Sequence, residues 1–469
     1  MKNLGLNILD VDNRKVILDS DNLFWSILPK PDNGSVNLSR NLLSLYDKFK
    51  DNLDKEMYDF RFGLDLSAIY IDPTDKCNAN CPYCYVPPKI RKYGRSMTKD
   101  ELEFILNKIY AYRSGDNGLA SDRPEGNGLV SFGQTHSQSH RKGSHKKLVI
   151  IFHASEPLLV KDIVFYAIEK FKDKFFFGLQ TNALLLKQKD VDFLIKHRVG
   201  VGISLDSHDP KVNNRLRSGN FNQIVNALDW FDGYSGLNVI TTITKYNVTH
   251  LEKIVKFLHA KKVSCVLLNP MRFTQKYALK LKPDEKIMAQ QFLKAVDTAI
   301  ELSRNSGRQI IVANFANIIL AIVSPFARRL MCDISPCGGG RCFFTITAKG
   351  EMIPCGEFIG LKGFSGGNIF SAKRADNIIT QALNSKPFNK IRDRFVENVK
   401  ECNICDFRNI CGSPCPAELH SLDKFRQKSV FCDFYKAITR HAFKLIAEGK
   451  EEYILRREIM NNLKYEYKI

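Results

Sequence analysis

The sequence predicts an α/β chain, a partial (β/α)6 barrel followed by a cysteine-rich domain. Strand-like apolar runs alternate with helical patterns six times between Leu66 and about Ile310. After Cys332 the composition turns to Cys, Gly and Pro, and nine of the 13 cysteines lie between Cys332 and Cys432. The chain has 469 residues, 44% of them hydrophobic, enough for one large core with appendages.

Residues 1–65 read as a small N-terminal segment, with alternation in KVILD and a helix-like NLLSLYDKF. LSAIYID, from Leu66, is a strand that runs straight into a first group of cysteines. A helix follows from Thr98, where Thr98 and Glu101 have the spacing of a capping box. KLVIIFH, FFFGLQ, VGVGISLD, NVITTITK and VSCVLLN are further buried strands. The patterns VKDIVFYAIEKF, QKDVDFLIKH, FNQIVNALDWF and LEKIVKFLHA separate them as helices. Such an array places active groups at the C-terminal ends of its strands.

Residues 114–146 break the rhythm. Rich in Gly, Ser and charge, and far longer than an ordinary connection, they read as a flexible insertion. His136, His140 and His145 within it fit a solvated linker better than a metal site. A long helix from Asp284 to Arg304 ends at Asn-Ser-Gly. The barrel spans 66–310, the cysteine-rich domain 311–434 and a charged helical tail 435–469.

The formal charge is +20, which suits an acidic partner, an anionic surface or nucleic acid. Nucleic-acid binding would need a basic face with stacking aromatics, and charge alone argues for it weakly. No apolar run approaches the roughly 20 residues of a membrane span. The N-terminus has no charged region followed by an apolar stretch, so the expected location is the cytoplasm. An odd cysteine count in a reducing compartment argues against a disulfide framework. Cys265, alone in VSCVLLNP, reads as a buried strand cysteine.

The chemistry concentrates in CNANCPYCY, which holds Cys77, Cys81 and Cys84 with Tyr85 after them. Three thiolates at this spacing fit round one corner of an iron–sulfur cubane, whose usual complement is four. The remaining iron is open to a small molecule, as a position on catalytic zinc is. A structural zinc would want four ligands, and no local fourth is present. A C-x3-C-x2-C with an aromatic before its last cysteine, following the first strand of a strand–helix array, resembles the radical S-adenosylmethionine (SAM) superfamily.

That resemblance implies a four-iron cluster whose open iron chelates SAM, and reductive cleavage of SAM to a 5′-deoxyadenosyl radical. Relatives carry Gly-Gly-Glu-Pro after the second strand. Here FHASEPLL puts Ala154 and Ser155 at the glycines and keeps Glu156, expected to bind the SAM ammonium. The resemblance adds Tyr85, Asn182, Ser204, Asp206 and Arg217 to the SAM-binding set, with Arg215 as runner-up to Arg217.

CGGGRCFFTITAKGEMIPC, then CNICDFRNICGSPC and Cys432, resembles the SPASM extension of radical SAM enzymes, which holds two auxiliary four-iron clusters. FFTIT and EMIP around AKG read as a hairpin with cysteines at both feet. The resemblance implies cluster I on Cys337, Cys342, Cys355 and Cys415, and cluster II on Cys402, Cys405, Cys411 and Cys432. Cys332 is left over, to replace one of the first group, serve the chemistry or pack. No catalytic residue is assigned, and Cys332 and Glu357 are the weak candidates.

The branch resembled modifies peptides and small proteins and takes electrons from a reducing partner such as flavodoxin or ferredoxin. CDISPCGGGRCFFTI and IPCGEFIG further resemble maturases of quinohemoprotein amine dehydrogenase and of cysteine-rich peptides, which join cysteine sulfur to carbon as thioethers. Sulfatase maturases place Asp directly after the cysteine matching Cys355. Here Gly356 stands there and Glu357 follows, which argues against formylglycine formation. Alcohol oxidation, carbon–carbon crosslinking and epimerisation are the alternatives within the branch. A plain electron-transfer protein would not need the polar series at the strand ends. Residues 1–65 suit a leader-peptide-binding element or a structural cap.

Overall fold

The computed structural model describes residues 5–29, 38–114, 147–328, 331–371 and 377–456. The insertion anticipated at 114–146 therefore lies, apart from Ser114, outside the described residues.

The N-terminal segment holds more than one strand. β1 (Leu6–Val11), β2 (Arg14–Asp19) and β3 (Trp25–Pro29) form an antiparallel sheet, followed by α1 (Arg40–Phe62). Leu6, Ile17 and Phe24 pack on Leu42, Tyr46 and Leu53 of α1 as a separate small core. Alternation in KVILD marks β2 alone, because its neighbours LNILDV and WSILP mix apolar and polar residues without a clean period. The unit is fixed to the cysteine-rich part. Arg61 donates to both carboxylate oxygens of Glu397 at 2.8 Å, and Asn409 Nδ2 donates to the Ser20 carbonyl at 2.9 Å.

From Leu66 the chain follows the expected alternation. Its elements are β4 (Ala68–Ile71), α2 (Pro88–Tyr93), α3 (Lys99–Ser114), β5 (Val149–Phe152), α4 (Lys161–Phe171), β6 (Phe176–Thr181), α5 (Gln188–Lys196) and β7 (Gly200–Ser204). They continue with α6 (Pro210–Arg217), α7 (Phe221–Phe231), β8 (Leu237–Ile243), α8 (Leu251–Ala260), β9 (Cys265–Pro270), α9 (Glu285–Ser306), β10 (Ile311–Val312) and α10 (Ala313–Val323). Both capping-box bonds at the start of α3 form: Thr98 N–H donates to Glu101 Oε2 at 2.8 Å, and Glu101 N–H to Thr98 Oγ1 at 3.2 Å. α9 is capped by Asp284 and stops at Gly307 in a left-handed conformation.

The strands β4 to β9 pair in parallel, in sequence order. Ile69, Ile71, Ile150, Phe152, Leu179, Val201, Ile203 and Val239 are fully buried and belong to the main core. Burying each such side chain stabilises the fold by about 1.5–3 kcal/mol. Tyr70, Ile151, Gln180, Ser204, Thr242 and Asn269 stay half-exposed. They form a partly polar inner layer at the ends of the strands.

The cysteine-rich part is joined to this sheet more closely than a separate domain beginning at 311 implies. The hairpin β11 (Phe343–Ile346) and β12 (Met352–Ile353) extends it, with β11 parallel to β4 and β12 outermost. The physical reason is the free edge of β4, which would otherwise leave a row of unpaired backbone groups. Gly350 makes the hairpin turn at φ +81, where an added Cβ would lie 2.3 Å from the Phe370 ring. Short helices follow, and the helix Cys432–Ala447 closes back on α9 and α10. Cys265 is buried at the start of β9. Among the described residues no helix is long and apolar enough to cross a membrane.

Candidate functional site

The loop after β4 carries Cys77, Cys81 and Cys84, and residues from several surrounding segments hold it. Asn182, just past β6, donates through Nδ2 to Asn78 Oδ1 at 2.8 Å. Ser218, in a left-handed conformation at the end of α6, accepts from Asn80 N–H at 2.7 Å. Arg91 of α2 is buried and donates to the Ala79 carbonyl at 3.1 Å and to the Val86 carbonyl at 3.1 Å. Tyr277 Oη donates to the Cys84 carbonyl at 3.0 Å. The Cys77 sulfur accepts the Ala79 N–H at 3.4 Å, a bond that favours a thiolate.

Burial pushes all three thiols up, Cys84 to about 12. Arg91 faces all three and Arg217 faces Cys81, each pulling the other way. Such thiols stay neutral unless a metal centre supplies the compensating charge. Three sulfurs on one short loop with two guanidiniums beside them fit an anionic, metal-filled site.

Asp206 and Arg217 stand together. Asp206 is fully buried, and its carboxylate accepts from Arg217 Nε at 2.9 Å and Nη2 at 3.3 Å, from the Thr242 N–H at 2.9 Å and from the Tyr83 hydroxyl. The Arg217 guanidinium lies 5.5 Å from the Tyr83 ring centre. The pair anchors the residue between Cys81 and Cys84. Arg215 instead covers the Tyr246 ring at 3.7 Å.

Glu156 is also fully buried. Its Oε1 accepts from Leu158 N–H at 3.0 Å and Thr181 Oγ1 at 2.8 Å, and its Oε2 from Asn182 N–H at 2.8 Å. Burial raises it to about 7, against the pull of these three donors. The carboxylate thus ties the β5 loop to the end of β6. Ala154 and Ser155 before it have φ of +52 and +46, the left-handed region that glycine adopts freely. Ser155 Oγ adds a bond to the Asp75 carbonyl at 2.7 Å. Asn182 sits at the head of the cysteine loop, and Ser204 half-buried at the end of β7.

Tyr85 turns toward the cysteine-rich part. Its ring stacks on His153 with centres 6.2 Å apart, and its hydroxyl lies 3.4 Å from His153 Nδ1. Gly356 abuts the same pair: a Cβ there would be 3.4 Å from the His153 ring and 3.7 Å from Tyr85 Oη. Beyond it, Cys337, Cys355 and Cys415 share an apolar cluster with Cys84 and Tyr85. Electrostatically Cys355 faces Cys332 and Cys415, while Cys332 faces Cys337 and Cys415. Cys332 is exposed, while Cys337, Cys355 and Cys415 are half-buried. The Cys337 sulfur accepts the Gly339 N–H at 3.4 Å.

Cys342 borders this gathering from the β4 side, with Cys355 packed against its apolar cluster and Cys337 as an electrostatic neighbour. Its carbonyl accepts from Ser67 and Ala68 N–H at the start of β4, and its thiol packs with Met331, Ile334 and Phe343. Burial lifts it to about 11, with Arg341, Asp65 and Cys337 as its charged neighbours. The cause is the register of β11 on β4, which holds residue 342 at the N-terminal end of the strand.

Glu357 lies beside Cys355 and Cys415. Burial raises it to about 7, Arg272 opposes that, and its Oε2 has no hydrogen-bond partner. Arg272 also faces Cys332, Cys415 and Glu418, whose Oε2 is 3.7 Å from Arg272 Nη1. The sequence singles out neither Arg272 nor Arg91. Tyr83 enters it only as the aromatic before the last cysteine. For Arg272 the sole signal is its position just past β9.

Cys402, Cys405, Cys411 and Cys432 line one further cavity with Lys428 and Lys436. Cys432 opens a 16-residue helix, where the backbone dipole favours a thiolate. Lys436 and Lys428 oppose the rise that burial imposes on its thiol.

Comparison with known proteins adds the following. Residues 140–258 match the Radical SAM superfamily. A protein of Archaeoglobus fulgidus without an assigned function is 39% identical over 97% of this chain and 98% of its own. The cysteine-type anaerobic sulfatase-maturating enzyme of Clostridium perfringens is 22% identical over 81% of this chain and 96% of its own. Among solved structures, native anSMEcpe with bound AdoMet and Cp18Cys peptide superposes with a TM-score of 0.64 at 18% identity, covering 82% of this chain and 98% of that one. Streptococcus suis SuiB bound to precursor peptide SuiA gives 0.55 at 14% identity, over 92% and 98%.

Proposed function

Because this chain belongs to the radical SAM superfamily and is an enzyme, we propose that it modifies a peptide or small protein by radical chemistry, forming thioether crosslinks from cysteine sulfur to carbon. The observation that carries the reading is the gathering of cysteines on both sides of Tyr85 and His153, with the SAM-type loop on one side and a second group on the other. The relatives include a sulfatase-maturating enzyme and a SuiB structure with its precursor peptide bound. A four-iron cluster on Cys77, Cys81 and Cys84, with SAM on its open iron, would supply a hydrogen-abstracting 5′-deoxyadenosyl radical.

The chain's own residues position and enclose. Arg91 and Arg217 offset the thiolate charge, and Asp206 holds Arg217 and Tyr83 in place. Asn182, Ser204 and Tyr85 border the SAM space. Glu156 serves it by fixing the loops that frame it. On this account Glu156→Gln removes one charge-assisted bond and turns an amide N–H2 toward backbone donors. It lowers stability by about 1.5–3 kcal/mol and SAM affinity about tenfold. Thermal unfolding and equilibrium SAM binding check this. Weakened binding with unchanged stability would instead mean direct contact with the SAM ammonium.

Cluster II is assigned to Cys402, Cys405, Cys411 and Cys432. For cluster I we infer Cys337, Cys355 and Cys415 with Cys332 as the fourth ligand in place of Cys342, on the strength of the neighbours each thiol has. Cys332→Ala then changes the iron content or the reduced-cluster EPR signature of the reconstituted chain, and Cys342→Ala changes neither. The reverse pattern would return Cys342 to the cluster.

In thioether formation one hydrogen atom leaves a substrate carbon for the deoxyadenosyl group. The cysteine then gives up its thiol proton and the new bond sheds one electron. Glu357 is the carboxylate able to take that proton, and an auxiliary four-iron cluster on the second cysteine group would supply the electron acceptor. The same Glu357 favours a second reading, oxidation of a substrate thiol or alcohol, since a carboxylate stands beside Cys355 and Cys415 although Gly356 carries none. Mass spectrometry of the peptide product with thiol alkylation separates the two. Loss of two hydrogens and one alkylatable thiol per crosslink, with sulfur retained and no carbonyl-reactive group formed, supports the thioether, whereas exchange of sulfur for a carbonyl oxygen marks thiol oxidation. A product that keeps every free thiol rules it out.

A further inference from the structure

We propose that the surface over Cys402, Cys405, Cys411 and Cys432 is the docking site of a small acidic electron-carrier protein. The inference rests on the reading of this group as a four-iron cluster. Ile404, between Cys402 and Cys405, is 82% exposed, the most exposed large hydrophobic residue among those described. A single exposed isoleucine means little by itself. Here it lies one residue from Cys405, on a turn whose cavity is bordered by Lys428 and Lys436. Among the described residues neither lysine has an ion-pair partner.

More positive charge lies along the same segments. Lys400 is exposed just before the turn, and Lys424 and Arg426 are exposed on the loop that brings in Lys428. The acids nearby in sequence are Glu401, which also borders the cavity, Asp406, Asp433 and Asp423, the last engaged by Lys276 at 3.1 Å. The balance is basic, on a chain of formal charge +20. An apolar centre with a cationic rim is the complement of a carrier that presents an exposed redox edge ringed by carboxylates. It steers encounter and permits fast release, as a transient electron-transfer contact requires. The step is a transfer of one electron between the reduced carrier and the cluster, with no bond made or broken and no proton moved.

The test compares two reductants on the full reconstituted chain, with a reduced acidic flavodoxin as probe and dithionite as the small-molecule control. In the double variant Lys424→Glu, Arg426→Glu, at exposed residues that do not line the cavity, flavodoxin-driven SAM cleavage at low ionic strength falls about tenfold. The dithionite-driven rate and the iron content stay as in the parent. The difference shrinks at high salt as screening sets in. The double variant Lys189→Glu, Lys196→Glu on α5, an equal charge change elsewhere, has no such effect. An unchanged flavodoxin rate overturns the proposal, and so does a parallel fall with dithionite at full iron content. Zero-length crosslinking of flavodoxin carboxylates to the unaltered chain gives an independent answer. Links to Lys428 or Lys436 support the site, and links confined to other lysines overturn it. A parent chain without iron at these cysteines would instead remove the underlying cluster assignment.

Discussion

Replacing Cys77, Cys81 and Cys84 together by alanine abolishes reductive SAM cleavage while leaving about eight irons per chain, those of the two auxiliary clusters. The separation follows from the layout. The three cysteines share one loop, and its supports come from Asn182, Ser218, Arg91 and Tyr277, none of which borders the cavity at Cys402–Cys432. On the proposed assignment, removing the thiolates deletes the cluster that takes SAM on its open iron, so no residual turnover is expected. Quantitative iron analysis and chromatography of 5′-deoxyadenosine check both halves. Release of 5′-deoxyadenosine by the triple variant would move the SAM site elsewhere.

Asp206→Ala costs the fold about 3–5 kcal/mol, the penalty for leaving a buried guanidinium unpaired. Asp206 is fully buried and Arg217 nearly so, and the carboxylate also anchors Tyr83 and the Thr242 N–H. The loss therefore reaches the cysteine loop through Tyr83, and SAM cleavage falls with stability. Arg217→Lys recovers little, because an ammonium cannot make the two-pronged contact. Urea unfolding of the apo chain measures the first effect. A change below about 1 kcal/mol would mean the pair is a surface-like contact after all.

The barrel was legible because its strands are buried on their outer layer and read as continuous apolar runs, broken by helices of clear period. The cysteine loop was legible because spacing alone specifies a cluster corner. Other features were hidden for definite reasons. β1 and β3 lack alternation, so a three-stranded sheet looks like one strand. The seating of β11 on β4 is a long-range pairing that no local pattern encodes. That same pairing seats Cys342 with its carbonyl on Ser67 N–H while Cys355 packs against its apolar cluster across the hairpin. Charge partners are hidden in the same way. Asp206 and Arg217 look like two separate ligand contacts in sequence, and the fold pairs them with each other.

The account depends most on three cysteine groups holding three four-iron clusters. Anaerobic reconstitution followed by quantitative iron and acid-labile sulfide tests it directly. About twelve irons and twelve sulfides per chain are expected. Four irons or fewer, or stoichiometric zinc, would contradict it.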